Sequence, residues 1–267
     1  MARILVLSSQ TAAGHVGLSA AQPVLQALGH AVTALPTILL SNHPGFAHAA
    51  GRPVTPADLA AMIDALDANG WLAQHEALLT GYLPTAGHVE LAGDLARRLR
   101  RLAAPPLVVV DPVLGDDPKG LYIAQGAAEA VRDRLAPLAD ILTPNRFELA
   151  WLTGRPAATL PEAVAAARSL GARVLVTSPP VPGATGVLDV GAGAPVLYPT
   201  PRIPDVPHGA GDVLSALVAA GLDPGGAVGR LAALCAASAG APHLAIIPPE
   251  PWRDAPPVLG RPLAPEA

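Results

Sequence analysis

Short apolar runs alternate along the chain with Ala- and Leu-rich stretches of helical spacing. "RILVLS" (3–8) reads as a strand, and "GLSAAQPVLQALG" (17–29) as a helix that Gly29 stops. "AVTALPTILL" (31–40) is extended. "TPADLAAMIDAL" (55–66) opens with a Thr cap and a proline in the first turn, which starts a helix. "EALLTGYL" (76–83) is a strand leaving through glycine, and "TAGHVELAGDLARRLRRLA" (85–103) is a long amphipathic helix. "PLVVVDPVLG" (106–115) and "ADILTPN" (139–145) are strands ending in Asp-Pro and Thr-Pro-Asn. "LPEAVAAARSLG" (160–171) is a helix and "ARVLVTS" (172–178) a strand. "TGVLDVG" (185–191) and "PVLYPT" (195–200) form an outer hairpin, and two helices start near Gly211 and Pro224. Past Pro248 the chain turns proline-rich, and a loosely packed tail is expected.

Strands that alternate with helices and read as buried on both faces predict a mostly parallel sheet between helical layers. No break in composition marks a second domain, so one domain over residues 1–250 and a Pro-rich tail over 251–267 are expected. Such sheets bind ligands at the carboxyl ends of their strands. That rule selects Ser8–Ser9, Gly81–Tyr82, Asp111–Gly115, Thr143–Asn145 and Thr177–Ser178, all just past strands.

Composition narrows the function classes. The 267 residues are 51% apolar, enough for a large core. A net charge of −4 without a basic stripe argues against a nucleic-acid partner. Cys235 is the only cysteine, which excludes an intrachain disulfide and a cysteine-rich metal site. "MARILVLSSQ" reads as a first strand rather than a signal peptide, and the apolar region 231–247 is interrupted by Gly240, Pro242 and His243. A cytoplasmic protein with no membrane association is expected. Among 17 Lys and Arg residues only Lys119 is lysine, either by chance or because a compact ammonium serves beside an anion.

The chemistry starts at "PHGAGDVLSALVAAG" (207–221). Glycines let backbone amides approach a ligand closely. A helix beginning there aims free N–H groups and its positive dipole end at an anion such as a transferring phosphoryl group. Asp212 in the first turn is a ready proton acceptor for an attacking hydroxyl. "DPVLGDDPKG" adds Asp111, Asp116 and Asp117, and "TPNRFEL" adds Asn145 and Glu148. Carboxylates gathered at one sheet edge suit Mg²⁺ held through water. Each residue also has a plain structural reading: Asp212 as a helix-stabilising acid, Asp111 as a turn cap before Pro112, Glu148 as a solvated first-turn acid. No G-x-x-x-x-G-K-[ST] occurs, and "SSQTAAGHVG" is not G-x-G-x-x-G, so neither a P-loop nor a dinucleotide site is expected.

"DPVLGD", "TPNRFEL", "VLVTS" and "GAGD" occur in the order and approximate spacing of the ribokinase-like superfamily. Within it, "SSQTAAGHVGLSAA", "LSNHPGF" and "TGYL" resemble the pyridoxal kinases. The resemblance spans roughly residues 3–240. It implies a three-layer α/β/α sandwich, commonly a homodimer, that transfers the γ-phosphoryl of ATP to the 5′-hydroxymethyl of pyridoxal, pyridoxine or pyridoxamine. By resemblance Asp212 is the base, and Gly209, Ala210 and Gly211 line the anion hole. Ser9 corresponds to a serine on the pyridine ring, Tyr82 to the aromatic beside it, and His43 to the histidine of the S-N-H segment. Pro44 and Gly45 stand where one subgroup has polar substrate contacts, so contact there runs through backbone or through other residues. Asp111, Thr143, Glu148 and Thr177 match positions around ATP and its Mg²⁺, and Pro201, Arg202, Ile203 and Pro204 match a stretch flanking the adenine. Without the resemblance, Tyr82 reads equally as a packing residue, and His15 and His43 as loop histidines. Two rivals stay open: a hydroxymethylpyrimidine or sugar kinase of the same fold, and a B6-binding protein without turnover.

Overall fold

The computed structural model describes residues 1–263. Strands β1 (Arg3–Thr11), β2 (Ala31–Leu40) and β3 (Gly51–Pro53) are followed by β4 (Ala77–Thr80) and β5 (Leu107–Val110). A small hairpin, β6 (Gly115–Asp116) and β7 (Gly120–Leu121), stands apart from the main sheet. Then come β8 (Ile141–Leu142), β9 (Arg173–Thr177), β10 (Ala184–Val190), β11 (Val196–Pro201) and β12 (Arg261–Pro262). The main sheet has the order β12-β11-β10-β9-β8-β5-β4-β1-β2-β3. The block from β9 to β2 is parallel, and β3, β10, β11 and β12 join antiparallel.

Strand alternation divides the core into two layers. Leu5, Leu7, Leu78, Val108 and Val110 face one side, which helices α2 (Pro56–Ala68), α3 (Ala86–Arg100), α4 (Gln125–Ala130), α5 (Arg146–Thr153) and α6 (Leu160–Arg168) cover. Ile4, Val6, Leu79 and Val109 face the other, covered by α1 (Leu18–Ala27), α7 (Ala210–Ala219), α8 (Pro224–Ser238) and α9 (Glu250–Arg253). The result is the three-layer α/β/α arrangement around a mostly parallel sheet.

Helix signals in the sequence hold well. Thr55 accepts from the Asp58 N–H, Thr85 from the His88 N–H, and Gly29 leaves α1 at φ +82°. Three strands are shorter than expected: β4 stops at Thr80, β5 at Val110, and β8 covers only Ile141–Leu142; just past β4, Gly81 passes the Ser8 hydroxyl so closely that a Cβ would lie 2.4 Å from it. Helix α4, β3 and the β6–β7 hairpin are not expected from the sequence, and α5 only through the first turn read at Glu148.

The expectation of a loose tail past Pro248 is corrected. Trp252 is fully buried and donates its indole N–H to the Ile246 carbonyl at 2.9 Å. The tail lies on a glycine face of α8: a Cβ at Gly229 would sit 2.0 Å from the Pro256 carbonyl oxygen. It ends as β12 on the edge of β11. Prolines lack an N–H to satisfy, so such a segment packs against a helix where small residues let its backbone approach. Residues 264–267 of the expected tail lie outside the described residues.

Candidate active site

The start of α7 is built by two glycines with different reasons. Gly209, its N-cap, has φ +109°, and a Cβ there would lie 2.0 Å from the His15 carbonyl oxygen. Backbone conformation and space both demand glycine. Gly211 is under neither demand, since a Cβ built on it meets nothing within 4 Å. The fold leaves that space open. No side chain caps α7, so its first N–H groups keep their donors for whatever enters above. Asp212 stands in the same turn, and desolvation pushes its carboxyl up to about 6, against the backbone N–H groups of Gly17 and of Asp212 itself.

Beside this turn opens a cleft of about 870 Å³. Thr177, Pro201, Arg202, Ile203, Ala210 and Gly211 line it, whereas Pro204 stands outside the lining. Thr177 comes from the end of β9, Pro201 from the end of β11, and Ala210 and Gly211 from α7, so topology alone converges them. A volume of this size is typical of small-ligand sites.

Asp111, Thr143 and Glu148 are buried and do not themselves line the cleft. Asn145 and Glu148 form a reciprocal capping box at the start of α5. Glu148 also accepts from the Leu114 N–H at 2.8 Å, tying α5 to the segment after β5. Burial pushes the Glu148 carboxyl up to about 7, although the N–H groups of Asn145, Leu114 and Gly115 favour its charge. The solvated-acid reading of Glu148 is thereby excluded. Asp111 is held well above the ordinary carboxylate range by burial, with Glu148 and Asp212 adding repulsion. Against this act the Ser215 hydroxyl, 2.8 Å from Oδ2, and the N–H of Val113, a β-branched residue at φ +43°. A strained backbone of this kind at a strand end is characteristic of functional sites.

The residues assigned to the second substrate lie on the other side of Gly209. Ser9 is buried near the end of β1, and Gly17 passes so close that a Cβ there would lie 2.3 Å from Ser9 Oγ. Tyr82 is half-buried against the α2–α3 layer. Its N–H donates to the Ser8 hydroxyl at 3.1 Å, and its carbonyl accepts from Thr37 at 2.7 Å. His43 stacks on His208 with ring centroids 3.9 Å apart, and its Nδ1 accepts from the Gly45 N–H at 3.0 Å. Burial lowers its basicity, with His208 and the exposed Lys119 adding to the effect. Pro44 and Gly45 are exposed. The cavity that His43 and His208 help to line is only about 10 Å³, and neither Ser9 nor Tyr82 lines it. That is room for one water rather than a pyridine ring.

Sequence reasoning did not single out Ser215 and His208, and it selected Ser8 only by its place at a strand end. His208 and Ser215 stood in the stretch already singled out, and Ser8 at a selected strand end, but their contacts are with residues distant in sequence. For a divalent cation the donor set is hard oxygen. Asp116 Oδ1 is buried without a hydrogen-bond partner, and Asp116 lines the cleft. Among the described residues no three Asp, Glu, His or Cys side chains converge as a metal cage. The residues therefore fit Mg²⁺ carried largely by waters and phosphate oxygens.

A parallel sheet whose carboxyl edge carries a glycine-acid helix start beside a cleft over buried carboxylates defines a kinase of the ribokinase-like class. Comparison with known proteins agrees. The family described as phosphomethylpyrimidine kinase matches residues 17–233. A pyridoxine/pyridoxal/pyridoxamine kinase of Bordetella avium is 38% identical over 235 residues, covering 85% of this chain and 79% of the relative. A pyridoxal kinase of Leifsonia xyli is 35% identical over 226 residues, covering 82% and 80%. The pyridoxal kinase structure from Entamoeba histolytica superposes with a TM-score of 0.89 at 25% identity, covering 98% of this chain and 99% of its own. That of the Leishmania donovani enzyme with ADP and pyridoxine gives 0.88 at 28%, again covering 98% and 99%. The chain belongs to the pyridoxal kinase family.

Proposed function

We propose that this protein transfers the γ-phosphoryl group of ATP to the 5′-hydroxymethyl of pyridoxal and the related B6 vitamers. The observation that carries the reading is Gly211. It leaves empty space at a helix N-terminus, next to a carboxyl tuned to about 6 and at the wall of a ligand-sized cleft.

ATP would lie in the cleft with its adenine end toward Pro201–Ile203 and its phosphates toward α7. The N–H groups of Ala210 and Gly211 would receive charge that grows on the transferring group. Asp212 accepts the hydroxymethyl proton as that oxygen attacks the γ-phosphorus, and the bond to the β–γ bridging oxygen breaks to release ADP. A base with a pKa near 6 is ionised at neutral pH and still basic enough for the task. Asp116, with Asp111 and Glu148 behind it, would hold Mg²⁺ through water, and the bound ion would supply charge neutralisation at the phosphates. Ser9, Tyr82 and His43 would contact the pyridine ring once the segment carrying His43 withdraws from His208. A homodimer and a cytoplasmic location belong to the same proposal on the family resemblance; no described helix is long and apolar enough to cross a membrane.

The test is ADP release from Mg-ATP with pyridoxal, pyridoxine, pyridoxamine, hydroxymethylpyrimidine and ribose. Turnover highest with a B6 vitamer supports the reading. A preference for hydroxymethylpyrimidine, which the name of the matching family keeps as the second candidate, would replace it.

A further inference from the structure

Ser215 is the one polar side chain on the buried face of α7, whose neighbours Val213, Leu214, Ala216 and Leu217 are all core residues. Its side chain does not merely bond back within its own helix. Oγ lies 2.8 Å from Asp111 Oδ2, 2.9 Å from Thr143 Oγ1 and 3.0 Å from the Gly211 carbonyl oxygen. It thus joins the ends of β5 and β8 to the first turn of α7.

Ser215 has one hydrogen and three acceptors in reach. Asp111 Oδ2 is the nearest of them, so the hydrogen goes to Asp111, and Thr143 donates to Ser215 Oγ. Satisfying the carboxylate this way fixes its rotation, and it does so from the helix that carries Ala210, Gly211 and Asp212. We propose that Ser215 is a positioning residue: it orients the Asp111 carboxylate toward the metal–nucleotide complex and locks that carboxylate in register with the start of α7. This rests on the proposed nucleotide site, but concerns a residue that touches neither substrate.

Groups that hold a metal-supporting ligand in place are worth about 10- to 100-fold in metal affinity. Mn²⁺ is titrated into the full chain with ADP, and free Mn²⁺ is read by electron paramagnetic resonance. Ser215→Ala should weaken Mn²⁺ binding in the ADP complex by about tenfold or more, with ADP binding in the absence of metal unchanged. In an Asp111→Asn background the same substitution should add little, because the carboxylate it positions is gone. Ser215→Cys keeps the size and loses the strong donor, so it carries the measurement if the alanine variant does not fold. An unchanged or tighter Mn²⁺ midpoint in Ser215→Ala, or a full additional loss on top of Asp111→Asn, overturns the role of Ser215 alone. Absence of metal-dependent ADP binding in the wild-type chain overturns both this role and the nucleotide site beneath it.

Discussion

Asp212 carries both a catalytic and a stability consequence. Its pKa is about 6 in the folded chain, against about 3.9 for an unperturbed Asp. As the proposed base it must be ionised, so kcat/KM should rise with pH and level off above about 6. Asp212→Asn should lower turnover by roughly 10²- to 10⁴-fold while nucleotide binding persists. The stability effect has the opposite sign. A raised carboxyl pKa means the folded state binds more protons than the unfolded one between about pH 4 and 6, so stability falls as pH rises through that window. The Asn variant escapes this and should melt about 2–4 °C higher than wild type at pH 8, the response to roughly 1 kcal/mol at this size, with no gain near pH 4. Melting curves at the two pH values check it, and an equal shift at both would show that desolvation of Asp212 is not the cause.

At the scale of the element, α7 shows that two glycines two positions apart in one motif are not equivalent. Gly209→Ala places a methyl group against the His15 carbonyl and forces a positive φ on alanine. The expected result is a loss of about 1–3 kcal/mol in stability, as for other overpacked sites. At Gly211 an added Cβ meets no neighbouring atom within 4 Å, so Gly211→Val should be accommodated. Its melting temperature should stay within about a degree of wild type, and turnover should drop by at least about 10²-fold because the branched side chain occupies the phosphoryl's place. Calorimetry and ADP release on both variants separate the roles; equal behaviour of the two would refute the distinction. The pattern G-A-G-D announces an anion site in the sequence. Which glycine is structural and which leaves room became visible only when the loop after β1 packed against it.

Over the whole molecule, Trp252 anchors the described stretch after Pro248 in the folded core. Trp252→Ala should therefore cost about 3–5 kcal/mol, visible as a marked drop in denaturant midpoint; a change below about 1 kcal/mol would show the tail to be dispensable. The sequence by itself determined the parallel α/β class, most helix starts and stops and the strand ends where the site gathers. These follow from local signals: period, capping residues and apolar runs bounded by polar ones. The same signals marked Asp111 and Thr177 at strand ends and Asp212 and Glu148 in first helix turns, and the family motifs added the roles expected of them. Only the tertiary structure decided that Glu148 is a buried cap rather than a solvated acid, and that Ser215 bridges Asp111 and Thr143. It also decided that His43 rests on His208, and that a proline-rich tail seals the glycine face of α8. Each of those depends on the meeting of segments from about thirty to more than a hundred and sixty residues apart, whose partners no local pattern names. Desolvation, which sets the carboxyl pKa values, is likewise a property of the packed surroundings and not of any residue alone.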